Sequence, residues 1–307
     1  MAESVVVAAE AGGHMDLDTI REVIVARERA DLEALGPNSA VLAGGTWLFS
    51  EPQDRLDRLV DITALDWPAL VVTPAGLEIA ATCTLAEFDA AAGVREATPA
   101  MSGVVGGAGS VALPAEWVAV RLFSQACRAL VASYKIRRAA TVGGNVCLGL
   151  PAGAVLAALV ALDGTAVVWL PDGGERSIPL ARFVIGPGRT VLRPGEVVRS
   201  IRLDDAKLRS RTAFRKVALA PLGRSGAVVM GRRDADGRCA ITLSAATVRP
   251  TVLEFGAVPE DSELVATVLG LDRGVWFDDP HGTPAWRRHV CTVLGREVLA
   301  ELREVRS

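Results

Sequence analysis

The chain has little of what proteins that bind nucleic acids or membrane surfaces rely on. It contains one tyrosine and seven phenylalanines, and its formal net charge is −3. A base-stacking surface needs many aromatic side chains, and binding to phosphate backbones or anionic lipids needs an excess of Lys and Arg. We therefore predict that neither nucleic acid nor an anionic membrane is a partner.

Paired cysteines and patterned histidines are also missing. The five cysteines are odd in number and widely scattered, and none form a C-x-x-C pair. The three histidines follow no metal-binding spacing. This excludes a disulfide framework and gives no ligand pattern for zinc or an iron–sulfur cluster. We predict reduced thiols and no metal site.

Targeting signals are equally sparse. The opening residues 1–4 lack the positive region of a secretory signal, and the apolar run 5–9 is too short and is followed by Glu10. Residues 139–162 carry no charge, but glycines and Pro151 interrupt them. About a dozen helix-compatible residues remain, too few for a membrane span. We expect a cytoplasmic protein without membrane insertion.

Common catalytic and nucleotide motifs do not occur. The chain has no G-x-G-x-x-G opening a helix, no P-loop, no H-E-x-x-H and no G-x-S-x-G. A Rossmann domain, a P-loop and the common hydrolase sites are therefore disfavoured. We predict no catalytic acid–base side chain.

The order of predicted elements indicates an α+β fold. The first sixty residues read as a β-α-β unit, with a strand at 5–8, a helix capped by Asp16 or Asp18 that runs to Leu35, and strands at 41–43 and 59–62. Thr84 and Glu87 form a capping-box pattern at the start of a helix. Further strands are predicted at 70–72, 77–80, 165–169, 176–178, 197–203, 213–218, 226–231 and 239–248, and helices at 114–130, 151–162, 262–269 and 284–302. Residues 103–109 read as a glycine-rich loop, and residues 204–211 read as a solvated connection.

Two glycine pairs are the strongest functional signal. One lies in Ala43-Gly44-Gly45-Thr46, and the other in Thr141-Val142-Gly143-Gly144-Asn145, which we predict between a strand-like approach and a helix. Glycines without a Cβ allow backbone N–H groups to approach a phosphate closely. Each pair alone is more often an ordinary turn. Together, with a hydroxyl in each, they predict two loops that hold a diphosphate.

Three basic side chains precede the second pair: Lys135, Arg137 and Arg138. Three positive charges suit a diphosphate, which carries two negative charges. The side chains could otherwise form a solvated face, and for at least one of them this is the favoured interpretation.

These residues carry a resemblance to a known family. Ala43-Gly44-Gly45-Thr46, together with the run from Lys135 to Asn145, resembles the two FAD-binding motifs of the flavoprotein (medium) subunit of molybdenum hydroxylases, the xanthine dehydrogenase and carbon monoxide dehydrogenase family. The resemblance extends over nearly the whole chain, through 159–164, 193–196, 214–217 and 279–289.

The resemblance implies a fold and a division into domains. The fold would be the vanillyl-alcohol-oxidase (PCMH) type of FAD-binding domain at residues 1–205, with subdomains at about 1–65 and 66–205. A small α+β domain of the CO dehydrogenase flavoprotein type would follow at 210–307.

The resemblance also implies a set of cofactor-binding residues. They are Ala43, Gly44, Gly45, Thr46, Trp47, Ile136, Thr141, Val142, Gly143, Gly144, Asn145 and Lys216. Trp47, Arg138 and Ala154 depart from the family pattern, which usually has an acid, an asparagine and an aspartate at these places. Pro221-Leu222 also stands where the family is often basic.

The function implied is that of an FAD-binding electron-transfer subunit. It would take electrons from a 2Fe-2S small subunit, beside a molybdopterin large subunit, and pass them from the flavin to an external acceptor. Two alternatives stay open: a stand-alone flavin oxidoreductase of the same fold, and an assembly subunit that has lost its flavin.

Overall fold

The computed structural model describes the backbone of residues 3–6 and all of residues 17–93 and 112–304. The N-terminal part is a four-stranded sheet in the order β1-β2-β4-β3. Strand β2 and strand β3 both run parallel to β4, and β1 is antiparallel to β2. The strands are β1 (Glu3–Val6), β2 (Glu22–Val25), β3 (Ser39–Leu42) and β4 (Arg58–Asp61).

The predicted helix from Asp16 or Asp18 to Leu35 is wrong. Residues 22–25 form strand β2, and residues 29–34 form a short 3-10 helix. Val23, Ile24 and Val25 are β-branched, and this favours a strand in a parallel sheet, where apolar runs are continuous. The helical spacing of Ile20, Val23, Ile24 and Arg27 suggested the helix, but the continuous apolar run 23–25 also fits a buried strand. The predicted β-α-β unit is therefore a four-stranded sheet.

A second sheet of five antiparallel strands has the order β5-β6-β11-β7-β8. Helices α1 to α5 lie between β6 and β7 in the chain. The elements are β5 (Leu70–Thr73), β6 (Gly76–Ala80), α1 (Leu85–Ala91), α2 (Arg121–Ala129), α3 (Tyr134–Ala139), α4 (Val142–Leu148), α5 (Ala154–Ala161), β7 (Thr165–Trp169), β8 (Glu175–Pro179), β9 (Val184–Gly186), β10 (Arg189–Thr190) and β11 (Val197–Asp204). The short strands β9 and β10 pair with each other.

Several predictions in this part are confirmed. Thr84 and Glu87 form the capping box of α1, in which the Thr84 hydroxyl accepts from the Glu87 N–H and the Glu87 carboxylate accepts from the Thr84 N–H. The apolar segment 151–162 contains α5, and every residue of that helix is buried. Because it has no polar face, α5 lies in the centre of the molecule, against α2 and α4 and the strands that follow.

The C-terminal part is a four-stranded antiparallel meander covered by two helices. Residues 204–211, predicted as a solvated connection, instead contain α6, whose Leu208 is fully buried. The elements are α6 (Asp205–Leu208), β12 (Arg211–Ala218), β13 (Ser225–Arg233), β14 (Cys239–Ser244), β15 (Thr251–Phe255), α7 (Asp261–Leu269) and α8 (Pro284–Arg303). Strand β15 escaped prediction, and β14 ends at Ser244 rather than at residue 248 because Ala245 takes a left-handed conformation with φ of 61°.

A buried polar cluster joins α6 to the meander. The Asp234 carboxylate accepts from Lys207 at 2.7 Å and from Arg232 at 2.8 Å. Arg232 also donates to the carbonyl of Ala161 at the end of α5. The predicted domain limits near 205–210 stay a prediction.

Other predictions fall on parts of the chain that are not described. The glycine-rich loop 103–109, residues 7–8 of the first strand and Asp16 lie outside the described residues. Among the described helices, none has both the length and the hydrophobicity needed to cross a bilayer.

Candidate functional site

The first glycine loop begins where strand β3 leaves the sheet. After Leu42, residues 43–48 turn back sharply, and the Phe49 N–H donates to the Gly45 carbonyl at 2.9 Å. The N–H groups of Gly44, Gly45, Thr46 and Trp47 donate to no acceptor among the described residues. Consecutive unpaired N–H groups in a turn form a concave site that favours an anion.

The glycines of this loop are required by the packing of the protein itself. A Cβ on Gly44 would lie 2.6 Å from the carbonyl carbon of Ala139 and 3.0 Å from the Cα of Ala140, and closer still to the Ala139 oxygen. Gly45 has φ of +66°, and a Cβ there would lie 2.8 Å from a ring carbon of Phe49. Gly44 therefore allows the first loop to lie directly on the segment that leads into the second.

The second glycine pair is not preceded by a strand, contrary to our prediction. Helix α3 precedes it, and Gly143 and Gly144 lie in the first turn of α4. The N-cap is Thr141, whose hydroxyl accepts from the Gly144 N–H at 3.0 Å. A Ser, Thr, Asp or Asn at this position is the usual N-cap.

The N–H groups of this second loop are already used within the chain. Val142 donates to the Cys83 carbonyl at 2.8 Å, and Gly143 donates to the Ala81 carbonyl at 2.9 Å. A Cβ on Gly143 would lie 2.5 Å from the Cβ of Ala81. We expected both loops to cradle a phosphate with their N–H groups, but the Val142 and Gly143 N–H groups are not free to do so. For the first loop this role stays a prediction. In the second loop Gly143 serves packing.

Gly144 differs from the other three glycines. A Cβ there would meet one atom within 4 Å, the Thr141 hydroxyl oxygen at 3.1 Å. Gly144 also lies on the wall of a large cavity, so its missing side chain leaves space in that cavity instead of serving the packing of the protein.

Both loops open onto one cavity of about 960 Å³. This volume is at the upper end of the range for small-molecule sites. Of the predicted cofactor residues, ten lie on its wall: Ala43, Gly44, Gly45, Thr46, Trp47, Ile136, Thr141, Gly143, Gly144 and Asn145. The other two do not, since Val142 is fully buried in the core and Lys216 lies within strand β12, opposite Val228.

The basic cluster before the second loop does not face the cavity. Arg137 pairs with Asp89 at 3.6 Å, and Arg138 donates to the Tyr134 hydroxyl at 3.0 Å. Lys135 is exposed on the same helix and is not part of the cavity wall. The solvated-face interpretation of this cluster is the one that the structure supports.

Asn145 links the cavity to the central helix. Its side-chain oxygen accepts from the Leu156 N–H at 3.0 Å, in the first turn of α5. Gly153 at the N-cap of α5 has no side chain to do this. Asn145 is thus a cap supplied from another helix, and its amide NH2 has no acceptor among the described residues.

The cavity wall includes residues that the sequence patterns did not single out. They include Gln53, Cys147, Glu196 and Arg224. Burial raises the pKa of the Cys147 thiol to about 12, which disfavours the nucleophilic thiolate at neutral pH. Arg193 to Glu196 carried part of the resemblance, but only the fold shows that Glu196 lies on the cavity wall.

The departures from the family pattern fall in different places. Trp47 lines the cavity and is 42% exposed. Arg138 lies on the outer face of α3. Ala154 is buried at the start of α5 and is not on the cavity wall. Leu222 lines the cavity with its side chain 90% exposed.

The sequence matches a known family over well over half of its length. The family described as the FAD binding domain in molybdopterin dehydrogenase matches residues 19–204. The chain belongs to this family. It is therefore an FAD-binding flavoprotein of the oxidoreductase class, and its cofactor is FAD.

Solved structures with the same fold include enzymes from three named organisms. The chain is similar to carbon monoxide dehydrogenase from Hydrogenophaga pseudoflava, with 17% identity, a TM-score of 0.71, and coverage of 91% of this chain and 95% of that chain. It is also similar to reconstituted CO dehydrogenase from Oligotropha carboxidovorans, with 19% identity, a TM-score of 0.71, and coverage of 90% of this chain and 95% of that chain. Quinoline 2-oxidoreductase from Pseudomonas putida 86 is similar with 16% identity, a TM-score of 0.69, and coverage of 91% of this chain and 95% of that chain.

These likenesses confirm the predicted α+β class and the flavoprotein type of fold. A search of curated protein sequences found no match.

The cavity suits FAD on physical grounds. The first loop presents a row of unpaired N–H groups, which are the donors that a diphosphate requires, and Gly144 adds no side chain to the cavity wall. The wall elsewhere is mainly apolar, as an aromatic ring system requires.

Proposed function

We propose that the chain is the FAD-binding electron-transfer subunit of a molybdenum hydroxylase complex. It would receive electrons from a 2Fe-2S subunit and deliver them from reduced FAD to an external acceptor. The observation that carries this proposal is the cavity between the two glycine loops, which combines an anion site with a large apolar wall.

In this proposal the first loop holds the diphosphate. The N–H groups from Gly44 to Trp47 donate to phosphate oxygens, because they have no acceptor within the described chain. Thr46 adds a hydroxyl on the same wall. The loop is held in place from behind by the contact between Gly44 and Ala139.

The second loop would position the cofactor from the other side. Gly144 leaves space, and the Asn145 amide NH2 is a donor that α5 already fixes in place through the Asn145 oxygen. Trp47 and Ile136 complete the wall around it.

The bound FAD supplies the redox chemistry, and the protein supplies binding, orientation and electrostatics. Glu196 supplies the carboxylate among the described wall residues, and this carboxylate already accepts hydrogen bonds within the protein. It accepts from Arg176 at 2.7 Å and from the Arg193 N–H at 2.8 Å. A carboxylate held in this way is poorly suited to take a proton from a substrate, which favours electron transfer over substrate oxidation in this chain.

The partners would be a 2Fe-2S small subunit and a molybdopterin large subunit. Two observations support this. The family is defined by FAD domains in molybdopterin dehydrogenase. The similar enzyme from Hydrogenophaga pseudoflava was solved in a form that lacks the Mo-pyranopterin moiety of its molybdenum cofactor, so that enzyme ordinarily carries one.

The direct test uses the purified chain reconstituted with FAD. The bound flavin is reduced anaerobically with dithionite, excess reductant is removed, and NAD⁺, a soluble quinone or oxygen is added. We expect reoxidation by at least one acceptor, and no turnover of xanthine, purine, aldehydes or quinoline by the chain alone.

Two results would contradict the proposal, and each points to one alternative. Turnover of an organic substrate by the isolated chain would favour a stand-alone oxidoreductase. A chain that takes up no FAD after reconstitution, yet still binds a molybdenum-containing subunit, would be an assembly subunit.

A further inference from the structure

The charge on the cavity wall is unevenly compensated. Among the described wall residues, two carry a formal charge, Glu196 and Arg224. The Glu196 carboxylate is neutralised by Arg176, whose guanidinium lies 2.7 Å away. Arg224 forms neither a salt bridge nor a hydrogen bond with any described residue. The wall therefore carries one uncompensated positive charge.

The position of Arg224 is set by the C-terminal meander. Residues 219–224 connect β12 to β13, and Arg224 is half-buried directly before β13. The Ser225 hydroxyl donates to the Ala129 carbonyl at 3.4 Å, and this ties the connection to the end of α2. The side chain thus reaches the cavity from a different part of the chain than either glycine loop.

The environment of this charge is unfavourable without a ligand. Arg224 lies near Arg287, but the Arg287 guanidinium is already paired with Asp279, so Asp279 does not compensate the charge of Arg224 through a contact of its own. A half-buried cation that has no hydrogen-bonded or ion-paired partner costs stability. A partner with negative charge in the cavity would remove this cost.

The surroundings of Arg224 indicate which end of the cofactor it meets. Leu222 lies two residues before Arg224, and Leu130–Val131 follows Ala129, the hydrogen-bond partner of Ser225. These wall residues are apolar. The unpaired N–H row for a diphosphate belongs to the first glycine loop. A flat apolar ring system fits the walls near Arg224, and a diphosphate fits the glycine loop.

We propose that Arg224 faces the isoalloxazine ring of FAD and stabilises its reduced, anionic form, so that this residue raises the reduction potential of the bound flavin. The inference rests on the proposed function of the cavity. Reduction by two electrons from a donor and one proton from water leaves one negative charge on the ring. A fixed cation in a partly desolvated site binds that form more tightly than the neutral oxidised form.

The test compares Arg224→Gln and Arg224→Lys with the wild-type chain, each with bound FAD. The control is Arg288→Gln, which removes a positive charge from the exposed face of α8, outside the cavity wall. Two quantities are measured for each protein: the dissociation constant for oxidised FAD, and the midpoint potential of the bound flavin against a reference dye.

We expect Arg224→Gln to weaken binding of reduced FAD about ten- to a hundredfold relative to oxidised FAD. For a two-electron couple this lowers the midpoint potential by about 30 to 60 mV. The dissociation constant for oxidised FAD should stay within about threefold of wild type. Arg224→Lys should retain most of the wild-type potential, and Arg288→Gln all of it.

Two outcomes would overturn the inference. If Arg224→Gln weakens the binding of oxidised FAD more than tenfold and leaves the midpoint potential unchanged, Arg224 is a counter-ion of the diphosphate. If neither quantity changes, the side chain does not face the cofactor. A wild-type chain that binds no FAD would be a different result, since it would remove the proposed function itself.

Discussion

Replacement of Gly44 by alanine tests whether the first glycine pair serves packing as well as cofactor binding. The new Cβ would lie 2.6 Å from the Ala139 carbonyl carbon, where ordinary contacts begin near 3.4 Å. The Ala139 oxygen would lie closer still, and all of these atoms are backbone, so the loops must separate by more than an ångström. Overpacking of this kind destabilises a protein by about 2–3 kcal/mol. For a chain of this size, that lowers the unfolding midpoint by roughly 3–5 °C.

The assay is thermal unfolding of the protein without FAD, followed by circular dichroism. Gly36→Ala is the matched control, because a Cβ there meets nothing within 4 Å. Its stability should equal or slightly exceed that of the wild type, since alanine reduces the freedom of the unfolded chain. Gly144→Ala is the contrasting variant, and its stability without FAD should stay within about 1 kcal/mol of wild type.

The packing role of Gly44 is refuted if Gly44→Ala without FAD is as stable as Gly36→Ala. In that case the loop-to-loop contact would not contribute to folding, and Gly44 would serve the cofactor alone.

Three further predictions concern other parts of the molecule. Asn145→Ala should lower the free energy of unfolding by about 1 kcal/mol, because it removes the cap of α5. Asn145→Asp should keep this stability but weaken FAD binding in a fluorescence titration, because it replaces an NH2 donor by a negative charge. Asp234→Asn should cost about 3 kcal/mol at pH 7 in urea unfolding. Although burial acts to raise the pKa of Asp234, its hydrogen bonds with Lys207 and Arg232 hold that pKa below the usual value. The wild type should therefore be more stable than Asp234→Asn by the full amount above about pH 4, and this difference in the free energy of unfolding should disappear as the pH falls through the depressed pKa of Asp234. An equal difference at pH 2.5 and pH 7 would contradict this. Since its pKa is about 12, Cys147 in the folded chain should be about one part in ten thousand thiolate at pH 8 and should react with iodoacetamide only on unfolding; rapid labelling of the native chain would show that the thiol is activated.

Local patterns predicted much of the fold. Thr84 and Glu87 predict the start of α1, because both residues of the capping box are only three positions apart in the sequence. The uncharged run around α5 predicts a buried helix, because it has neither a polar face nor the length of a membrane span.

Where short-range patterns are ambiguous, the sequence misled us. The spacing of Ile20, Val23, Ile24 and Arg27 satisfies both a helix and a buried parallel strand. Pairing with β4, more than thirty residues further on, decides for the strand. No local pattern carries that information.

The site was predictable in outline but not in its division of labour. The two glycine pairs and most of the proposed cofactor residues do meet at one cavity. The sequence could not show that Gly143 is held against Ala81, or that the Val142 and Gly143 N–H groups are already bonded. Nor could it show that Arg224, rather than Lys216 or the cluster at 135–138, brings positive charge to the wall. Each of these depends on contacts between distant segments.

The most direct test of the account is a titration of the FAD-free chain with FAD, followed by flavin absorbance and by quenching of flavin fluorescence. We predict one FAD per chain for the wild type. We also predict affinity at least about tenfold weaker for Gly144→Ala, a loss of about 1.4 kcal/mol, because its Cβ enters the cavity without disturbing the fold. Unchanged affinity in Gly144→Ala, or wild-type protein that takes up no FAD, would contradict the location of the cofactor between the two glycine loops.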